Sequence, residues 1–153
     1  MKAVLMSIRH RHILDMHSGE KTNELRTRAP KIECPFKVYN YDTKQSGGRG
    51  KVVSEWICDS METWRICMGV PIHLATTGCV SVGEILKYTD NGYKDLTSMH
   101  ISDLVIYDKP KDLDWFRKPM ECHRGKQREN CVGCWDCEIK KPPQSWCYVE
   151  VQE

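Results

Sequence analysis

A chain of 153 residues with 40% hydrophobic and 29% charged positions has the composition of a single globular domain, 1–153, large enough for a real core. No apolar run approaches the ~18–20 residues of a membrane helix, and Arg9, His10 and Arg11 follow the first apolar residues too soon for a signal peptide, so a cytoplasmic protein with no membrane partner is expected. The net charge of +2 conceals an asymmetry that favours an anionic ligand such as RNA or a nucleotide: residues 1–51 hold eleven Lys/Arg against five Asp/Glu, and residues 52–116 hold five against ten.

In chain order, Met1–Ile8 reads as a strand, and Arg9–His17 as a short helix carrying Ile13, Leu14 and Met16, which Gly19 ends from the left-handed region. A strand follows in which Asn23, Leu25 and Thr27 face one way and Glu24, Arg26 and Arg28 the other, because successive strand side chains alternate. The tight turn thus brings Lys21, Glu24 and Arg26 close together. Aromatic and β-branched residues mark Lys37–Tyr41 and Lys51–Cys58 as a hairpin around the loop Asp42–Gly50. Gly69, Val70 and Pro71 break the chain, and Ser81–Tyr88 reads as a helix with Ser81 as N-cap, Glu84 completing a capping box and Asn91-Gly92 ending it. His100–Tyr107 is a strand, Lys111–Phe116 a helical turn and Ser145–Val151 the last strand. Strands interleaved with short helices predict an α+β domain: a small, partly closed β-barrel with short helices flanking it.

Nine cysteines without a secretory signal point to thiols or metal ligands in a reducing compartment more than to disulfides. Cys122, Cys131, Cys134 and Cys137 form C-x8-C-x2-C-x2-C within 117–141, an insertion before the last strand too polar for a core of its own. Two residues between thiolates let a knuckle turn both sulfurs onto one ion, and four sulfurs close a tetrahedral zinc site of the structural kind. The same spacing suits an iron–sulfur cluster, and the plainer alternative is a set of free surface thiols. The remaining cysteines sit singly, and Cys58 and Cys147 read as small buried hydrophobes.

Ser18–Thr22 (SGEKT) followed by Glu24–Arg26 (ELR), the segments Phe36–Tyr41 and Gly47–Asp59, and the strands His100–Pro110 and Pro142–Glu150 resemble, in their order, the ASCH domain of the PUA-like superfamily. The resemblance implies a PUA-like barrel that binds RNA or a modified base in a cleft near the first helix, at Lys21, Glu24 and Arg26 with Gln144, Ser145 and Trp146 on its far edge. Lys21 and Arg26 can meet phosphate, Glu24 can accept hydrogen bonds from a base edge or act as a general base, and Trp146 can offer a stacking face. The competing reading of these residues is structural: a salt bridge across strands and a tryptophan that fills the core. One branch of the family comprises amidohydrolases of N4-acetylcytidine, which share the lysine of the turn and the arginine at the strand end. Their nucleophilic threonine is replaced by Glu24, and Glu55, Glu62 and Glu84 are candidates for their second carboxylate. The resemblance therefore implies a binding module for RNA or a nucleotide-like ligand, with a hydrolase or nuclease using Lys21 and Glu24 as the alternative.

Overall fold

A computed structural model of the chain describes residues 2–119 and 137–152. Nine elements follow in order: β1 (Lys2–Ile8), α1 (His10–His17), β2 (Asn23–Arg26), β3 (Phe36–Asp42), β4 (Lys51–Trp64), α2 (Ile72–Gly78), α3 (Val82–Tyr88), β5 (Leu96–Lys111) and β6 (Trp146–Glu150), with short 3-10 turns between some of them. The strands form one six-stranded sheet in the order β2-β5-β4-β3-β1-β6. β1 and β3 run parallel, Val4 opposite Val38, and the other neighbours are antiparallel.

β1 lies inside the sheet with both faces covered, which explains its unbroken apolar run: Ala3, Val4, Leu5 and Met6 are all fully buried. Val4, Met6 and Ile8 enter one cluster with Ile13 and Met16 of α1, Val38, Trp56 and Met99. Ala3 and Leu5 face the opposite cluster, with Tyr39, Tyr41, Phe116 and Val149. A third cluster, of Leu25, Ile66, Leu74, Ile85 and Leu96, seats α2 and α3 against β2 and β5. Burial at ~25 cal/mol per Å² makes these three clusters the main source of cohesion.

Two expectations are corrected. The sheet is open and not a closed barrel: β2 and β6 occupy its opposite margins and no ladder joins them. Side chains bridge the seam instead. Arg26 Nη1 donates to Ser145 Oγ at 3.1 Å, Trp146 Nε1 to the Arg28 carbonyl at 2.8 Å, and the Lys31 amide to Tyr148 Oη at 2.9 Å. Strands of four and five residues at the two margins are too short to zip together. β4 and β5 are also longer than the sequence pattern implies, because register shifts at three places in their pairing break the apolar alternation without ending the ladder.

α2 carries no sequence-level signal beyond Pro71 at its start. The capping box at α3 is formed, the Glu84 amide donating to Ser81 Oγ at 3.0 Å. Most of the cysteine-rich segment, including Cys122, Cys131 and Cys134, lies outside the described residues. Its two flanks meet: Arg117 and Glu138 form an antiparallel bridge, and the Lys118 amide donates to the Cys137 carbonyl at 2.9 Å. No described helix is long and apolar enough to cross a membrane.

Candidate functional site

After α1 the chain turns through Gly19 at φ 84°, and the Lys21 amide donates back to the Asp15 carbonyl at 3.0 Å. That turn drives Lys21 inward, where only 3% of it stays exposed. Its Nζ donates to the Gly78 carbonyl at 2.7 Å, a cation at the carbonyl end of α2. Gly78 packs closely there: a Cβ would lie 2.6 Å from Leu25 Cδ1, so any larger residue needs Leu25 to shift.

Glu24 projects from β2 into the same enclosure and is 5% exposed. Its Oε1 accepts from Arg26 Nε at 3.1 Å. Its Oε2 lies 3.8 Å from Lys21 Nζ, beyond hydrogen-bond range, and is buried with no hydrogen-bond partner among the described residues. Arg26 spends its other nitrogens across the seam, Nη2 on the Ser7 carbonyl at 2.9 Å and Nη1 on Ser145 Oγ. Ser7 Oγ in turn donates to the Pro143 carbonyl at 2.6 Å. One carboxylate therefore sits between two cations at the junction of α1, β1, β2, the end of α2 and the segment leading into β6.

His12 of α1 belongs electrostatically to this cluster, and the sequence reading missed it. Burial first, then the charge of Lys21, holds its imidazole below the ordinary histidine range, against a smaller opposing pull from Glu24. Its Nδ1 is buried without a hydrogen-bond partner among the described residues. The available signal was its place on the helix, three residues before Asp15, whose carbonyl fixes the turn.

Of the six ligand-site residues read from the sequence, Lys21, Glu24, Arg26 and Ser145 come together. Gln144 is exposed, and no hydrogen bond ties it to the cluster. Trp146 stands on the seam, but its N–H is used on Arg28, its ring packs edge-on to Tyr148 at 5.1 Å, and it leans on the first core cluster. The structure thus gives Trp146 a packing role at the seam. None of the three candidate second carboxylates joins Glu24. Glu55 binds Lys37 at 3.2 Å and Tyr107 Oη at 2.7 Å, and Glu84 pairs with Arg11. Glu62 lines a separate cleft of about 190 Å³ with Asn23, Trp64, His73, Ser98 and His100, on the side to which Asn23 points as Glu24 points away.

Among the described residues no group of three or more His, Cys, Asp or Glu could hold a metal ion. Of the four cysteines read as ligands only Cys137 is described, buried at the base of the segment.

The architecture is that of a mixed α+β module whose helix–turn–strand cluster lies at the seam of its sheet. Its fold is ASCH-like: the chain superimposes on an ASCH protein from Zymomonas mobilis with a TM-score of 0.67 at 16% identity, covering 97% of this chain and 87% of that one. Two point variants of the same Zymomonas mobilis protein match similarly, one with a TM-score of 0.64 at 16% identity over 98% and 91% of the two chains, the other with 0.63 at 15% over 97% and 88%. No protein-family model and no curated protein matches the sequence.

Proposed function

We propose that this chain is an ASCH-type binding module for RNA or a nucleotide-like ligand in the cytosol, with Glu24 as the group that reads the ligand. The observation that carries the reading is the buried Oε2 of Glu24, a carboxylate acceptor that has no hydrogen-bond donor among the described residues, Lys21 Nζ lying 3.8 Å away. Leaving such an atom unmet costs about 1–3 kcal/mol or more, and a ligand N–H removes that cost on binding. Lys21 beside it has donor capacity beyond its bond to Gly78, so the pair suits a ligand edge offering a donor next to an acceptor, as an unpaired base does. The basic residues Arg9 and Arg28 are exposed near the ends of α1 and β2, where phosphates of such a ligand would lie. A knuckle in which Cys122, Cys131, Cys134 and Cys137 hold a structural zinc is part of the same proposal, supported by the closed base of the segment at Arg117–Glu138.

Hydrolysis of a modified nucleoside is the second reading, and His12 is the observation in its favour: an imidazole kept neutral beside Lys21 and Glu24 can take a proton from water. One experiment separates the two. Binding of short single-stranded RNA and of cytidine nucleotides is titrated with wild type and Glu24→Gln, and N4-acetylcytidine is assayed for turnover by both. The binding module predicts affinity that weakens about 5- to 150-fold in Glu24→Gln, the equivalent of ~1–3 kcal/mol, with no turnover by wild type. Turnover that disappears in Glu24→Gln establishes the hydrolase, and unchanged affinity for every ligand removes Glu24 from recognition.

A further inference from the structure

Cys58 lies on β4 opposite Phe36, and Cys34 precedes Phe36 by two residues in the strap that joins β2 to β3. Their side chains meet at the end of the hairpin, with the two Sγ atoms 3.9 Å apart. Cys58 is fully buried in the first core cluster, its thiol donating to the Ser60 carbonyl at 3.4 Å, whereas Cys34 is partly exposed. A disulfide needs about 2.05 Å between sulfurs. The two must therefore close by roughly 1.9 Å, and because Cys34 lies in irregular chain between β2 and β3 its approach breaks no ladder hydrogen bond.

We propose that Cys34 and Cys58 form a dithiol modification site that takes a hydroperoxide as its reagent and closes to a reversible disulfide. The thiol that solvent reaches reacts first: Cys34–SH and H2O2 give Cys34–SOH and water. The Cys58 sulfur then attacks the Cys34 sulfur. The S–O bond breaks, the leaving hydroxide takes the Cys58 proton as water, and the S–S bond forms. Each sulfur is oxidised by one electron equivalent and the peroxide oxygens are reduced to two waters, so no further co-reactant is needed; a dithiol reductant restores both thiols. Burial, reinforced by the neighbouring Cys34, holds the Cys58 thiol far above the ordinary range, so it stays protonated and does not itself meet the peroxide, and its proton has to pass to the leaving hydroxide as the S–S bond forms.

The bond would tie the strap to β4 at a place that matters for the seam. Residues of this strap hold β6 through the Arg28 carbonyl on Trp146 and the Lys31 amide on Tyr148, and Ile32 and Cys34 pack against the first core cluster. Oxidation therefore fixes covalently the segment that runs from Arg26 to Phe36.

The full chain is exposed to graded hydrogen peroxide, its remaining thiols are blocked with N-ethylmaleimide after unfolding, and its peptides are mapped. The expected product is a Cys34–Cys58 crosslink, reversed by dithiothreitol and accompanied by a higher Tm. Cys34→Ser, a change at a partly exposed position whose folding is checked by circular dichroism, should leave Cys58 as an unmodified thiol. Cys58→Ala should leave Cys34 as a sulfenic acid that dimedone traps. The exposed Cys67 reports the oxidant dose. Recovery of Cys34 and Cys58 as thiols at a dose that oxidises Cys67 overturns the proposal, as does sulfenic acid persisting on Cys34 of the wild type without a crosslink.

Discussion

Replacing Arg26 by methionine keeps the apolar stem and deletes the guanidinium that joins Glu24, Ser145 and the Ser7 carbonyl across the seam. Removing one partner of a buried ion pair costs about 3–5 kcal/mol, mostly because the other charge is left without compensation. Here the compensation is partial, since Lys21 remains 3.8 Å from Glu24 and, at an effective dielectric constant of about 20, attracts it by ~4 kcal/mol. The loss is therefore expected at the lower end, about 3 kcal/mol, equivalent to a fall in Tm of roughly 10 °C for a domain of this size. Urea unfolding followed by circular dichroism measures it. The double variant Glu24→Gln/Arg26→Met removes the stranded charge together with its partner, and its destabilisation should fall short of the sum of the single changes by about 1–2 kcal/mol. A single-variant loss under about 1 kcal/mol, or additivity within ~0.5 kcal/mol, would show that the guanidinium is solvated and that the seam is not held by it.

Three other outcomes are expected. His12 and His17 are both held below the ordinary value, in each case chiefly by burial, so the unfolded chain binds protons that the folded chain refuses; stability is complete above pH ~6.5 and falls as pH drops towards the folded pKa values. The urea midpoint should decrease from pH 7.5 to 5.5, and His12→Gln should flatten that decrease; a midpoint that rises on acidification reverses the sign and refutes it. Elemental analysis of purified protein should find close to one equivalent of zinc, lost with its four-cysteine ligand set on treatment with chelator and thiol reagent, whereas iron with visible absorbance redirects the assignment and a metal-free protein ends it. Affinity for RNA should fall steeply with salt, and neutralising Arg9, Arg11 or Arg28 should reduce the slope of log K against log salt; a salt-independent affinity places the ligand away from these cations.

The placement of Glu24 and Arg26 on one face was legible because strand alternation is local and leaves no choice. The cap at Ser81 was legible for the same reason. The approach of Lys21 to that pair was legible from the turn, but its burial was not: only the arrival of α2, a helix with almost no signal of its own, encloses it against the Gly78 carbonyl. His12 escaped notice because its isolation depends on groups supplied by β2 and the turn. The barrel was expected from the count and order of strands, yet closure depends on whether the two marginal strands are long enough to pair, and β2 and β6 are not. Nor could periodicity reveal the full length of β5, whose outer half is largely exposed and is kept extended by its ladder to β4.

Because side chains and not a ladder span the seam, the order in which the chain leaves the ribosome matters for the site. Among the described residues β1 to β5 contain every strand ladder except the one β6 makes with β1, so the first five strands can assemble while β6 is still enclosed. Over that interval Lys21, Glu24 and the Gly78 carbonyl are already available to each other, but Arg26 lacks Ser145 and the strap lacks Trp146 and Tyr148. A nascent chain halted before Ser145 would thus present a paired sheet whose Arg26 guanidinium is held by Glu24 and the Ser7 carbonyl alone, with the far side of the seam not yet in place.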